Sequence, residues 1–352
     1  MQQVLGINSK SVSYLQIFAT ISVVVLHSDS LWREAPAILG TTLNLGLFLK
    51  GMSFYAVPMF VLLSGYCLSA SHCGISEFYR KRCRRICFPL LFWSTFYLFI
   101  RFFSKSESGK LNFIFELLRG TPYYHLWFMY MLLGLYAIAP FLLAWWRKHP
   151  ISLFFSAVFF QGCVYYFYSL WETPIAELFF FRFIPFTGLF VIGFFMHHIP
   201  QGVKWKIFFG TLSIIYFSGM FIATWLQYAA DWRLYSYFNV FGATGALVVM
   251  GFFLQFPDWD TPLSPLHKKI RMTASCSFGV YLIHPLLLHF AGKSLRVIAG
   301  DTTFVCLLLM SLVILVSFAL VYVTQYIPFL NCIFGGAVKV PKRRFISSSE
   351  TS

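Results

Sequence analysis

The sequence has few charged residues for its length. Only 11% of its 352 residues are charged and 12 of them are acids, whereas 59% are hydrophobic and 21% are aromatic. A soluble domain of this size has too little interior to bury so much apolar surface. The shortage of charge excludes a soluble globular protein, and the mean hydropathy of +0.72 agrees with this conclusion.

Regular alternation of apolar and polar residues is missing as well. A transmembrane β-barrel would show alternating segments of about ten residues, but here the apolar residues form long continuous runs. The sequence predicts an all-α fold, a polytopic transmembrane helical bundle with about ten spans. The predicted spans are residues 11–31, 51–70, 86–104, 123–146, 151–170, 178–196, 205–226, 237–256, 273–292 and 303–324. Because the loops are short, we predict one membrane domain over residues 1–338 and a cytoplasmic tail over 339–352, basic and then polar.

The sequence also shows neither the pattern of a cleavable leader nor a paired set of cysteines. Lys10 is the only charge before the first run and no small-residue cleavage site follows, so we expect the first helix to remain in the protein. The eight cysteines are scattered, and Cys83 and Cys87 flank a basic segment with no partner pair. This pattern predicts no disulfide framework and no metal site, and the cysteines are expected to be small buried hydrophobes.

The positive charge is concentrated in alternate loops. With the N-terminus placed inside, the inner segments hold 17 of the 27 basic residues, and most of the acids fall outside. Short basic loops mark the cytoplasmic side of a membrane protein. We therefore predict that both termini are cytoplasmic and that His27 lies at the outer end of the first span. The same distribution favours contact with membrane lipids and argues against a nucleic-acid partner.

The first predicted span carries two polar side chains on one face. Gln16 and His27 are eleven residues apart, which brings them to nearly the same face of a helix, roughly 16 Å apart along its axis. Ionisable groups inside a membrane are costly and usually functional, and a neutral imidazole can accept a proton from an attacking hydroxyl. The alternative is a helix end whose histidine meets interfacial water. Asp29 is too close in sequence to be taken as the partner that orients His27.

A basic segment precedes the third predicted span. Arg82 and Arg85 are three residues apart and so share a helix face, whereas Arg80 and Arg84 share another. Guanidinium pairs suit bidentate recognition of phosphate. The alternative is ordinary anchoring of the cytoplasmic side to lipid headgroups.

The fourth predicted span begins with a histidine among aromatic residues. His125, Trp127 and Tyr130 enter the membrane at the level predicted for His27. An aromatic belt at the interface accounts for the tryptophan and the tyrosine, but a belt does not require an imidazole.

Two further spans carry isolated polar groups. Ser64 in the second span either lines a polar channel or allows close helix packing. In the ninth span His284 lies near mid-membrane, three residues after Tyr281 and just before Pro285. A buried, hydrogen-bonded structural histidine is the alternative to a functional one.

These five stretches, in this order, resemble the acyltransferase-3 family of integral membrane acyltransferases. The family pattern has a basic residue and a histidine in the first helix, a PxFFxxSGY-like second helix, an RxxR segment, an HLWF-type fourth helix and a late YLIH segment. The corresponding residues here are Gln16 and His27, Pro58-Met59-Phe60 with Ser64-Gly65-Tyr66, Arg82-Cys83-Arg84-Arg85, His125-Leu126-Trp127-Phe128 and Tyr281-Leu282-Ile283-His284. Gln16 departs from the family's usual arginine, so either Lys10 or Arg101 is expected to substitute for it or the activity is altered.

The resemblance implies transfer of an acyl group, typically acetyl from acetyl-CoA as co-substrate, to a hydroxyl of a surface polysaccharide or a lipid-linked sugar precursor. It is closest to the stand-alone enzymes of the bacterial cytoplasmic membrane, with no permanently bound cofactor. On this reading His27 is the general base, and Arg82, Arg85 and Gln16 bind the donor. The groups expected to position the substrate or line the channel are His125, Trp127, Tyr130, Ser64, Tyr281 and His284. A transporter or flippase of a lipid-linked sugar is the rival interpretation, and a regulatory membrane subunit leaves the intramembrane histidines unexplained.

Overall fold

The computed structural model describes residues 9–32, 35, 45–71, 73–103, 112–167, 181–227, 240–256, 265–295 and 302–336. These residues are mostly helical and include no strand, which confirms the all-α prediction. The predicted tail at 339–352 lies outside the described residues. The α-helices are α1 (Ser9–Leu26), α2 (Asp29–Trp32), α3 (Leu45–Met52), α4 (Ala56–Ser69), α5 (Ile75–Arg82), α6 (Phe88–Phe102), α7 (Phe113–Arg119), α8 (Trp127–Lys148), α9 (Pro150–Tyr166), α10 (Thr187–Phe195), α11 (Val203–Gln227), α12 (Val240–Phe253), α13 (Pro265–Ser275), α14 (Ser277–Phe290), α15 (Thr303–Thr324) and α16 (Pro328–Ile333).

Several of these helices are long and apolar enough to cross a membrane. Within the described residues five pass this test, namely Leu45–Ser69, Ile75–Phe102, α8, Val203–Leu226 and α15. A sixth span is made by α13 and α14 if this pair, bent by 55°, crosses as one unit. Helices α1, α9 and α12 and the segment Ile184–His198 are apolar but shorter. The chain is therefore a multi-pass membrane protein, and the count of ten spans stays a prediction.

The helix α4 lies at the centre of the bundle. It packs against α1, α10 and α12, and 61% of the most apolar stretch of Leu45–Ser69 is buried, against 11% for Val203–Leu226. Two glycines allow its closest contact, because a methyl group on Gly65 would collide with the Phe190 carbonyl oxygen and one on Gly193 with that of Leu62. Small residues at such crossings let helix backbones touch, which is how helices associate in lipid.

The basic segment does not continue as a regular α-helix. A π-helical turn, Cys83–Cys87, joins α5 to α6 and carries Arg85. Such turns are rare and occur often at functional sites, because the extra residue changes the direction of the side chains that follow.

The expectation of buried cysteines was wrong at Cys83, which is exposed, whereas Cys276 and Cys306 are buried.

Candidate active site

A cavity of about 540 Å³ opens within the bundle. Its wall is built by α1, α4, the segment from α5 through the π-helical turn, α8, α13 and α14. Eight of the ten side chains predicted for the site line it: Gln16, His27, Ser64, Arg82, Arg85, His125, Trp127 and Tyr281. Among the described residues that line the cavity there is no aspartate or glutamate.

The two ends of the cavity differ in chemistry. Gln16 on α1 and His27, just after the end of α1, both line it and lie eleven residues apart, roughly 16 Å along the helix axis. On α8, the ring of Tyr136 lies 5.2 Å from the guanidinium carbon of Arg82, and His125 precedes Tyr136 by eleven residues. Guanidinium groups therefore lie at one end of the cavity and imidazoles at the other.

The bent pair α13 and α14 also runs from the guanidinium end of the cavity to its imidazole end. The Tyr281 hydroxyl donates a hydrogen bond of 2.5 Å to the backbone carbonyl of His125, so this part of α14 lies at the imidazole end. Arg271, ten residues earlier on α13, also lines the cavity, and α13 packs against α1. Arg271 therefore lies towards the guanidinium end.

Arg82 is held at the cavity wall by aromatic rings. Its guanidinium carbon lies 5.4 Å from the ring centre of Phe78 and 5.2 Å from that of Tyr136. Its Nε is buried and has no hydrogen-bond partner among the described residues. Arg85 lines the same cavity, whereas Arg80 and Arg84 do not, although all three are exposed. Such ring contacts favour the planar cation of arginine and leave its N–H groups free for a ligand.

Three histidines meet at the opposite end. The ring centres of His27 and His284 are 5.5 Å apart, and His284 lies 5.5 Å from His125. A ring nitrogen of His284, Nδ1, lies 3.1 Å from the Val280 carbonyl oxygen. Its Nε2 is buried with no hydrogen-bond partner in the described part of the chain, and the same holds for both ring nitrogens of His125. Because buried polar atoms are almost always hydrogen-bonded, the nitrogens of His125, which lines the cavity, fit a polar ligand.

His125 is enclosed by aromatic residues. It is only 1% exposed, and the rings of Tyr97 and Tyr281 lie 5.2 and 5.3 Å from its own. Tyr97 is in turn fixed by a hydrogen bond of 2.8 Å from its hydroxyl to the Leu282 carbonyl. The imidazole is therefore packed between these two rings at the cavity wall.

His27 lies just after the end of α1, where the chain turns. Its ring is half-buried and packs 5.1 Å from Tyr124. Asp29 does not orient it, because this carboxylate forms an ion pair of 2.7 Å with Lys50. The hydroxyl of the neighbouring Ser28 donates a hydrogen bond of 2.7 Å to the Val25 carbonyl.

A protein-family model described as an acyltransferase domain matches residues 9–322, which is nearly the whole chain. The chain belongs to the acyltransferase-3 family. No curated protein and no solved structure gives a significant match to it. The acyltransferase domain therefore contains every element that builds the cavity, from α1 to α14.

Two of the predicted side chains do not line the cavity of this acyltransferase domain. Tyr130 is buried with its hydroxyl 3.5 Å from that of Ser94. His125 lies in the turn before α8, whereas Tyr130 is in the first turns of that helix and faces α6 through Ser94. His284 is fully buried behind the cavity wall, where its ring contacts both His27 and His125.

The expected substitutes for the family's arginine at position 16 lie elsewhere. Arg101 donates to the Glu116 carboxylate at 2.8 Å and to the backbone carbonyls of Thr121 and Pro122 at 3.2 and 3.1 Å. It thus braces the segment that leads into His125. Lys10 is buried and does not line the cavity.

Sequence reasoning missed three residues that the bend between α13 and α14 brings to the cavity. They are Arg271, Ser275 and Ser277. In the sequence Arg271 is one of several basic residues of a predicted cytoplasmic loop, and nothing distinguishes it from Lys268 and Lys269. The serines are common residues without a recognisable spacing, so no signal in the sequence pointed to them.

Proposed function

We propose that this acyltransferase moves an acyl group, acetyl by preference, from acyl-CoA to a hydroxyl of a surface polysaccharide or a lipid-linked sugar precursor. The observation that carries the proposal is the polarity of the cavity, with guanidinium groups that have no described acid partner at one end and imidazoles at the other.

The guanidinium end suits the phosphate groups of CoA. Arg82, Arg85 and Arg271 form no ion pair with a described acid, and no described acid lines the cavity. A ligand that neutralises them must be anionic, and arginine binds phosphate with two parallel hydrogen bonds. Between the two ends the wall is mainly apolar and includes Phe60 and Leu132. The extended, uncharged pantetheine arm of CoA fits this stretch and would carry the thioester to the histidines.

The imidazole end suits proton transfer from an acceptor hydroxyl. We assign His27 as general base: its imidazole takes the hydroxyl proton while the oxygen attacks the thioester carbonyl carbon. The tetrahedral intermediate then expels the CoA sulfur, which receives that proton from His27, and the ester is left on the acceptor. His125 is assigned to position the substrates, because both of its ring nitrogens are free to hydrogen-bond a ligand within the described site.

We assign the enzyme to the bacterial cytoplasmic membrane, with ten spans and both termini inside. The donor end of the cavity then opens to the cytoplasm, where acyl-CoA is made, and the imidazole end faces the side where glycans are assembled or displayed. The excess of basic residues in the inner loops supports this orientation.

Transporter folds carry paired broken helices in repeated halves, whereas the described residues contain a single bent pair.

The proposal is tested with purified protein and acetyl-CoA labelled on the acetyl group, by following release of CoA and transfer of the label. We expect the double change Arg82→Gln and Arg85→Gln to raise the Kd for acetyl-CoA by at least about 10-fold, because each lost charge-assisted hydrogen bond costs about 1.5–3 kcal/mol. Arg80→Gln is the matched control, since Arg80 belongs to the same basic segment but is exposed and away from the cavity. Unchanged affinity in a folded, membrane-inserted double variant would reduce this segment to a topology signal.

A further inference from the structure

The bend between α13 and α14 adds a second group of polar side chains to the donor cavity. The two helices meet at 55°, with Arg271 on α13 and Ser277 at the start of α14. Both side chains line the cavity. Arg82 is the last residue of α5 and Arg85 lies in the π-helical turn that follows, so the two groups come from different elements of the wall.

Arg271 and Ser277 are both unsatisfied within the described residues. Ser277 is 5% exposed and its hydroxyl is buried without a hydrogen-bond partner there. Arg271 forms no ion pair with a described acid, unlike Arg101 and Lys81, whose carboxylate partners lie at 2.8 and 2.6 Å. A buried hydroxyl and an exposed arginine without a described acid partner, both facing one cavity, fit an anionic ligand.

Ser275 has a different role, because its hydroxyl is already engaged. It donates to the Met272 carbonyl at 2.6 Å and accepts a hydrogen bond of 2.8 Å from the Gln325 amide. The same amide lies 3.0 Å from the sulfur of Cys276, the residue at the bend. These contacts hold the bend in place and thereby position Arg271 and Ser277 on its two sides.

We propose that Arg271 and Ser277 form a second anion subsite, which holds a phosphate group of the acyl-CoA donor other than the one held by Arg82 and Arg85. The inference rests on the proposed function and extends it. Arg271 lies ten residues before Tyr281, away from the imidazole end, and α13 packs against α1, the helix that carries Gln16. The neutral amide of Gln16 cannot neutralise phosphate, and Arg271 supplies the missing positive charge from the neighbouring helix.

The test is calorimetric titration of the purified full chain with CoA and with pantetheine, which has the same arm but no phosphate. We expect Arg271→Gln to raise the Kd for CoA by about 10-fold or more and Ser277→Ala to raise it by a smaller factor. Neither change should alter binding of pantetheine. Lys268→Gln is the matched control, because it removes one charge from an exposed position of α13 outside the cavity and should leave both affinities unchanged.

The outcomes separate this subsite from the proposed function. If wild type binds CoA and the Arg82 and Arg85 double variant does not, but Arg271→Gln binds within 2-fold of wild type, the subsite is refuted and the function stands. An equal loss of CoA and pantetheine binding in Arg271→Gln would also refute it, since the effect would then be a general disturbance of the cavity. Arg271→Lys keeps the charge and should recover most of the CoA affinity. If wild type itself binds no CoA, the proposed function fails and the subsite with it.

Discussion

Replacing His27 with glutamine removes the proposed base and keeps a polar side chain of similar size. A positioned general base contributes about 10²–10⁴-fold to rate, so we expect turnover of acetyl transfer to fall by about 100-fold or more. Binding of acetyl-CoA should stay within about 2-fold of wild type. The reason is distance, because His27 lies eleven residues beyond Gln16, roughly 16 Å further along the axis of α1, at the imidazole end of the cavity.

The surroundings of His27 indicate that the variant will fold. Its half-buried ring packs against His284 at 5.5 Å and Tyr124 at 5.1 Å, and makes no hydrogen bond with a described residue. Glutamine therefore leaves no described buried group without its partner. The midpoint of thermal unfolding should remain close to that of wild type.

Two measurements on the same preparation check this prediction: turnover with a saturating acceptor, and the Kd for acetyl-CoA. His289→Gln is the control, since His289 is an exposed histidine of α14 away from the cavity and should keep full turnover. A His27→Gln enzyme that retains a tenth or more of wild-type turnover would show that His27 only positions a substrate, and would move the search for the base to His125. A parallel loss of acetyl-CoA affinity would contradict the separation of the two ends.

Two further predictions concern the bundle and its orientation. Gly193→Ala should lower the free energy of unfolding by about 1–3 kcal/mol, and with it the midpoint of thermal unfolding, because its methyl group would meet a backbone carbonyl of α4. Gly162→Ala should have no such effect, because Gly162 lies in open space. An impermeant thiol reagent applied from outside should label Glu172→Cys, and Lys148→Cys should be labelled only from inside. Both are made in a Cys83→Ser background, since Cys83 is exposed. The opposite labelling pattern would overturn the orientation and the assignment of donor and acceptor sides.

Much of the candidate site was predictable because its residues differ sharply from their surroundings. His27, His125 and the pair Arg82 and Arg85 are ionisable groups within or beside apolar runs, where such groups are costly, and all four line the cavity. Arg271 was not predictable in this way. It lies in a basic stretch that the positive-inside rule already explains, and only the packing of α13 against α1 shows that it faces the cavity.

The sequence by itself determined the membrane class, the helical fold and the family, because composition and long apolar runs depend on residues that are close together along the chain. It also placed Gln16 and His27 on one face, since helical periodicity is a local property. Tertiary structure alone decided which spans surround the cavity, that Arg101 pairs with Glu116, and that His284 lies between two other histidines. These features depend on contacts between helices far apart in sequence, such as the glycine crossing of α4 and α10, and no local pattern specifies them.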